Sequence, residues 1–254
     1  LNARAGLPRR AWVVAHRGAS RDRPENTLAA FDEALEQGCD AIELDLRISA
    51  DGVPMVFHDD SLDRAGRPGR RLEDLAAAEI QRLDAGASFH SRFHGEPVPA
   101  LRQVLERYSS RTRLLLELKS SYDEARDLEL VRATVRAVRE AGAEERSFVL
   151  SFHRPLLEAT AGLAPRMARV LNVKPPSRLD DRMRAILPTL AALSVDVRGL
   201  TPAFGQEVGE AGCPLWAWTC NTARTVDRAL EAGAAAVISD RPAWLAAYLE
   251  EKVG

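Results

Sequence analysis

AIELDLRISADGVPMVFHDD, residues 41–60, reads as a strand, a tight turn and a second strand. The apolar run AIELDL (41–46) precedes Asp51-Gly52, a hairpin dipeptide, so VPMVFH (53–58) is expected to fold back beside it. Outward from this segment, short apolar or β-branched runs alternate with amphipathic helical patterns along the chain. Strands are predicted at 12–16, 41–46, 113–118, 147–152, 168–173, 192–197, 214–219 and 235–239. Helices are predicted at 27–37, 99–108, 123–141, 154–161, 178–187, 202–211, 222–232 and 241–251. Eight such units with right-handed crossovers imply a parallel sheet that closes, giving an α/β fold of the (β/α)8 TIM-barrel type.

Strand starts lie roughly 20 to 35 residues apart, except for a gap of about 70 between the second and third. The surplus holds VPMVFH, an Arg/Gly loop RAGRPGRR (64–71), a helical patch LEDLAAAEIQRL (72–83) and a loop with His90 and His94. It predicts a small insertion after the second strand, at about 60–98, capping one mouth of the barrel. The whole of 1–254 is expected to form one domain.

Length and charge agree. The 254 residues carry 35 basic and 37 acidic side chains, a net charge of −2, and 46% are hydrophobic. That suits one barrel-sized domain and excludes a disordered chain. It also argues against a broad nucleic-acid surface, so any anion is expected to be bound locally. There is no apolar run of about 18 residues to span a membrane, and LNARAGLPRR at the start has no signal-peptide core. A cytoplasmic location is therefore expected, with a leader removed ahead of Leu1 left open. Cys39, Cys213 and Cys220 have neither disulfide nor zinc spacing and are expected to be core residues. Nothing in the pattern sets an oligomeric state.

In such barrels, chemistry collects at the carboxyl ends of the strands. The first strand ends in His16-Arg17-Gly18, and Glu43 and Asp45, two apart on the second, share one face. The hairpin strand ends at His58-Asp59, and Glu117 and Lys119 share a face at the third barrel strand. Three carboxylates at one mouth repel unless protons or a cation neutralise them, and an all-oxygen set suits Ca²⁺ or Mg²⁺. Taken singly, Glu43 or Asp45 could simply pair with Arg47 or Lys119, and a lone histidine is most often structural. Taken together, the three carboxylates, His16 and His58 as proton carriers, and Arg17 and Lys119 as phosphate-sized cations specify metal-assisted phosphoester cleavage. The chain lacks a G-x-S-x-G elbow, a G-x-x-x-x-G-K-[ST] loop and an H-E-x-x-H helix. His90 and His94, four apart like a metal pair, and the arginines at 64, 67, 70 and 71 are expected in solvated loops, although a cap facing an anionic lipid head group would also use the arginines.

At these residues the chain resembles the glycerophosphodiester phosphodiesterase family. The likeness runs through AHRGAS (15–20), PENT (24–27), AIELDLRISADGVPMVFHDDSLDR (41–64), LDAG (83–86), LLLELK (114–119), SFH (151–153), WAWTCN (216–221) and ISDRP (238–242). It implies a barrel with an insertion after the second strand, and metal-dependent hydrolysis of glycerophosphodiesters to glycerol 3-phosphate and an alcohol. It further implies His16 and His58 as the acid/base pair, Glu43, Asp45 and Glu117 as ligands of a divalent Ca²⁺ or Mg²⁺, and Arg17 and Lys119 as phosphate contacts. Glu25, Trp218 and Asn221 fall on positions that support or line the pocket. The family route has a glycerol hydroxyl attacking phosphorus, but the sequence leaves direct attack by water open, as it does the choice of acid and base between the histidines. Departures are small: RAGRPGR trims the loop after Asp63-Arg64, Ser239 stands where Thr is common, and Cys220 lies within the WT-x-N segment.

Small glycerophosphodiesters such as glycerophosphocholine or glycerophosphoethanolamine are the expected substrates. A lysophospholipase D would need an acyl groove, for which Phe89, Phe93 and Trp12 are candidates, although all three suit the core equally. A non-catalytic phosphoester-binding barrel would be marked by loss of a histidine or ligand, and all five are intact.

Overall fold

The structure is a computed structural model describing residues 10–174 and 179–253. In chain order its elements are β1 (Trp12–His16), α1 (Leu28–Glu36), β2 (Ala41–Ile48), β3 (Pro54–Val56), β4 (Ser61–Leu62), β5 (Arg67–Arg71) and α2 (Ala77–Ile80). These are followed by α3 (Leu101–Tyr108), β6 (Arg113–Leu118), α4 (Glu124–Glu140), β7 (Ser147–Ser151), α5 (Arg154–Leu163), β8 (Ala168–Val173) and α6 (Asp181–Ile186). The remainder are β9 (Ala192–Asp196), α7 (Pro202–Glu210), β10 (Leu215–Trp218), α8 (Ala223–Glu231), β11 (Ala234–Ser239) and α9 (Pro242–Val253). The sheet runs β1-β11-β10-β9-β8-β7-β6-β2, all parallel, and pairing of β1 with β2 closes it. This is the expected (β/α)8 barrel. Of the predicted helix at 178–187, the first residue lies outside the described residues.

Alternation along each strand sorts the side chains into two cores. Outward residues such as Val13, Ile42, Leu44, Leu116 and Val237 pack under the helices. Inward residues fill the barrel in layers. Trp12, Phe148 and Trp216 form an aromatic floor with ring centroids 5.4 to 6.1 Å apart. Val14, Ala41, Leu115, Leu150, Val170, Ala192 and Ala236 belong to the same inner cluster. One step further along the strands the inward positions turn polar, at His16, Glu43, Asp45, Glu117, Asn172 and Asp196. The site therefore rests on a packed apolar plug rather than on a pore. Trp12, open above between groove lining and core, belongs to the core, in the floor at the opposite end from the mouth.

The β1–α1 loop is held tightly. Gly18 has φ +82°, and a Cβ there would lie 2.6 Å from the backbone of Ala30. Thr27 caps α1 by accepting from Ala30 N at 3.2 Å.

The hairpin forms as predicted: β3 runs antiparallel to β2 with Leu46 opposite Val56, and Gly52 takes φ +78° in the turn. The segment RAGRPGRR is not a loop throughout, because Arg67–Arg71 pairs with β4 and Asp63 Oδ1 accepts from Gly69 N at 2.7 Å. All five residues of β5 are exposed, so no apolar alternation announced it. Between 72 and 83 the helical patch reduces to a 3₁₀ turn and the four-residue α2. Met55, Phe57, Leu62, Leu72, Ile80, Leu83 and Val98 make a separate apolar cluster in this region. Among the described residues no helix is long and apolar enough to cross a membrane.

Candidate active site

Register builds the site. His16 lies opposite Glu43 on the β1–β2 pair, and Asp45 lies opposite Glu117 on the β2–β6 pair. Carboxylate oxygens of Glu43, Asp45 and Glu117 lie within 4.8 Å of one another, and all three residues are buried. Arg17 turns out of β1 in the left-handed region, φ +56°, which aims its N–H at Glu43 Oε2, 3.0 Å away. Phe57 N donates to the Asp45 carbonyl at 3.0 Å, which anchors the chain leading to His58 beside β2.

The carboxylates are oriented from behind. Asn26 Nδ2 donates to Asp45 Oδ2 at 2.8 Å, and Asn172 Nδ2 donates to Glu117 Oε2 at 3.0 Å. Arg17 Nε lies 3.1 Å from Asp45 Oδ2. Lys119 Nζ lies 2.9 Å from Asp45 Oδ1 and also touches Glu117, so it is held against the cluster rather than standing free in the mouth. Glu43 Oε1 is buried without a hydrogen-bond partner. Burial first, then the charges of Asp45 and Glu117, push the Glu43 carboxyl up to about 8, against the opposing pull of His16 and Arg17. Burial would raise Asp45 too, but Lys119 and Arg17 hold it well below the usual carboxylate range. An oxygen-only donor set, an orphaned carboxylate oxygen and one carboxyl reluctant to ionise are together what a hard divalent cation would resolve, so these residues fit one.

Each histidine is gripped through Nδ1. His16 Nδ1 lies 2.6 Å from Asp240 Oδ1, and His58 Nδ1 lies 2.7 Å from Asp59 Oδ1. Burial would lower His16, but the bond to Asp240 and the charge of Glu43 raise it above the ordinary imidazole value. His58 moves the other way, because burial, with Arg17 and Lys119 nearby, outweighs the pull of Asp45 and Asp59.

The remaining sequence candidates act at one remove. Asn221 does not stand apart as a pocket wall: its Nδ2 donates to Asp240 Oδ2 at 2.6 Å, and its Oδ1 accepts from Asp240 N and Ser239 Oγ, each at 2.9 Å. Glu25 Oε1 receives Arg17 Nη1 at 3.0 Å and Arg64 Nη2 at 2.7 Å. Arg64, exposed as expected, also donates through Nε to Asp59 at 2.5 Å, so it ties the insertion to the residue behind His58. Trp218 packs edge-on to Phe152 with centroids 5.4 Å apart, and its Nε1 is buried without a partner. Asp240, Asn26 and Asn172 were not singled out from sequence. Asp240 and Asn26 lie inside the ISDRP and PENT segments, and inward alternation on β8 would have pointed to Asn172.

Fold and site together define a phosphodiester hydrolase built on a (β/α)8 barrel. Residues 16–244 match the Glycerophosphoryl diester phosphodiesterase family. The chain belongs to that family. It is 32% identical over 238 residues to a glycerophosphodiester phosphodiesterase of Caldanaerobacter subterraneus, with 91% of this chain and 94% of that protein covered. A phosphodiesterase of Oleispira antarctica, solved in complex with the product sn-glycerol-3-phosphate, superposes with a TM-score of 0.87 at 29% identity, covering 95% of this chain and 97% of that one. A glycerophosphodiester phosphodiesterase of Agrobacterium tumefaciens gives 0.75 at 30% identity, with coverage of 93% and 99%.

Proposed function

We infer that this chain hydrolyses small glycerophosphodiesters to sn-glycerol 3-phosphate and an alcohol, with His16 and His58 as the proton-transfer pair. The observation that carries the reading is the convergence of Glu43, Asp45 and Glu117 within 4.8 Å at the mouth that His16 and His58 also reach. Glu43, Asp45 and Glu117 would hold a divalent cation, Ca²⁺ or Mg²⁺. When bound, it supplies charge neutralisation and Lewis acidity at a phosphoryl oxygen.

The chain's own groups do the rest. Arg17, fixed by Glu25 and Asp45, offers a positioned guanidinium to the phosphate. Lys119 supplies a second positive charge beside Glu117. Bonds from Nδ1 to Asp240 and Asp59 leave Nε2 of each imidazole for substrate, one ring taking a proton from the attacking group and the other giving one to the leaving alcohol; where that group is a glycerol hydroxyl, water then opens the cyclic diester to complete hydrolysis. The insertion at about 60–98 acts as a cap, its Arg64 bridging Glu25 and Asp59 at the mouth.

The test is incubation with glycerophosphocholine and detection of sn-glycerol 3-phosphate, with chelator, Ca²⁺ and Mg²⁺ arms and a parallel lysophosphatidylcholine arm. Chelator should abolish turnover and one of the two cations should restore it. Chelator-resistant hydrolysis would overturn the cation's role, and equal turnover of both substrates would overturn the preference for small diesters.

A further inference from the structure

Beside the carboxylates the mouth widens into a cleft of about 450 Å³, whose lining includes Glu117 and Lys119 at its inner end and Asp60, Tyr122, Phe152 and His153 further out. Tyr122 is 90% exposed, yet its backbone sits in the left-handed region at φ +62°. A bulky residue there costs conformational energy, and this ring recovers almost none of it by burial. The conformation is imposed by buried Asp127, which accepts from Ser120 Oγ at 2.5 Å and from Ser121 N at 2.8 Å, while Ser120 Oγ accepts from Tyr122 N at 3.0 Å. His153 joins the same network, its Nδ1 2.9 Å from Ser120 Oγ and its ring 6.0 Å from that of Tyr122. Phe152, 47% exposed at the end of β7, is held edge-on by Trp218. Two loops thus present exposed rings to one cleft, Tyr122 on a backbone held through Ser120 and Phe152 against Trp218.

The cations beside the rings are already paired. Arg47 is engaged by Asp60 and by the His58 carbonyl, and Lys119 by Asp45 and Glu117. Asp60 keeps 64% of its side chain in solvent on the cleft rim. Ring faces and a carboxylate both attract a cation, and a quaternary ammonium, which cannot donate a hydrogen bond, is best held by ring faces.

We propose that Tyr122, Phe152 and Asp60 form a subsite for an alcohol leaving group bearing a quaternary ammonium. This rests on the reading of the chain as a glycerophosphodiester hydrolase, since Glu117 and Lys119 border both the phosphate position and the cleft. An alcohol leaving from phosphorus there would extend along the rings.

The experiment compares glycerophosphocholine with the 3,3-dimethylbutyl ester of glycerol 3-phosphate, the same shape with carbon in place of the charged nitrogen. Wild type should favour the choline ester in kcat/KM by about fivefold, the scale of an exposed cation–π contact. The Tyr122→Leu/Phe152→Leu double variant should bring the ratio close to one, whereas Tyr122→Phe, which keeps the ring, should preserve it. Because the readout is a ratio within one preparation, the fraction of folded enzyme cancels. A wild-type ratio near one, or an unchanged ratio in the double variant, overturns the subsite while hydrolysis of the dimethylbutyl ester leaves the functional reading intact. Hydrolysis of neither ester overturns both.

Discussion

His16 and Asp240 close the barrel chemically as well as topologically: Nδ1 of the first and Oδ1 of the second lie 2.6 Å apart although the residues are 224 positions apart in sequence. The β1–β11 pairing that completes the sheet brings them together, with Val14 opposite Ile238 and Ala15 opposite Ser239. Asn221, from the loop after β10, then fixes both Asp240 oxygen and Asp240 amide. One imidazole is thereby aimed by residues from two other strand ends.

Asp240→Asn should lower kcat by about 10- to 100-fold with the fold retained, the usual cost of disturbing a partner that orients a functional group. Asp240 is also the first influence that raises His16 against burial. Its loss should move the pH–rate limb belonging to His16 to lower pH. A profile with unshifted limbs would detach Asp240 from the proton-transfer step.

Removal of His16 or His58 bears on the assignment directly. His16→Ala and His58→Ala should each lower turnover by about 10² or more while circular dichroism is unchanged. Wild-type activity in either variant refutes its role.

Asn172→Ala removes the buried donor to Glu117 Oε2 without touching a carboxylate. Affinity for the divalent cation, measured by calorimetric titration, should weaken about 10- to 100-fold. An unchanged affinity would mean that β8 contributes nothing to the cluster.

Glu43 makes stability depend on pH and cation together. Without a cation the folded chain keeps this proton up to a pH of about 8, whereas the unfolded chain loses it in the ordinary carboxyl range. The folded state therefore binds more protons between those limits, and this group's contribution is full at low pH and declines as pH rises towards 8. A cation replaces the proton, so Ca²⁺ or Mg²⁺ at a fixed concentration should raise the melting temperature more at pH 8 than at pH 6. Equal gains at both pH values would contradict the raised carboxyl.

Tyr122→Gly should stabilise the fold by about 1 kcal/mol in denaturant titration, because glycine occupies the left-handed region without the Cβ penalty. Gly18→Ala, at φ +82° and 2.6 Å from Ala30, should do the reverse by roughly 2 kcal/mol or more. An unstabilised Tyr122→Gly would show that the loop carries no strain.

The local pattern by itself determined the barrel and the face on which the chemistry sits. Apolar runs of strand length alternating with amphipathic helices leave a parallel closed sheet as the outcome, and the period of two in Glu43-x-Asp45 and Glu117-x-Lys119 puts those groups on one face. Hairpin chemistry at Asp51-Gly52 likewise announced β3, because the turn is encoded in adjacent residues. Side-chain partnerships across strands were not legible, since they depend on register between segments far apart in sequence. Only the folded barrel set Asp240 behind His16, Asn172 behind Glu117, and Lys119 between two carboxylates. It also paired Arg64, which stays exposed, with Glu25 and Asp59, and it decided for Trp12 between core and groove. The physical reason is range: strand and turn signals are local preferences of neighbouring residues, whereas the charge balance around a buried group is summed over everything the closed sheet brings near it.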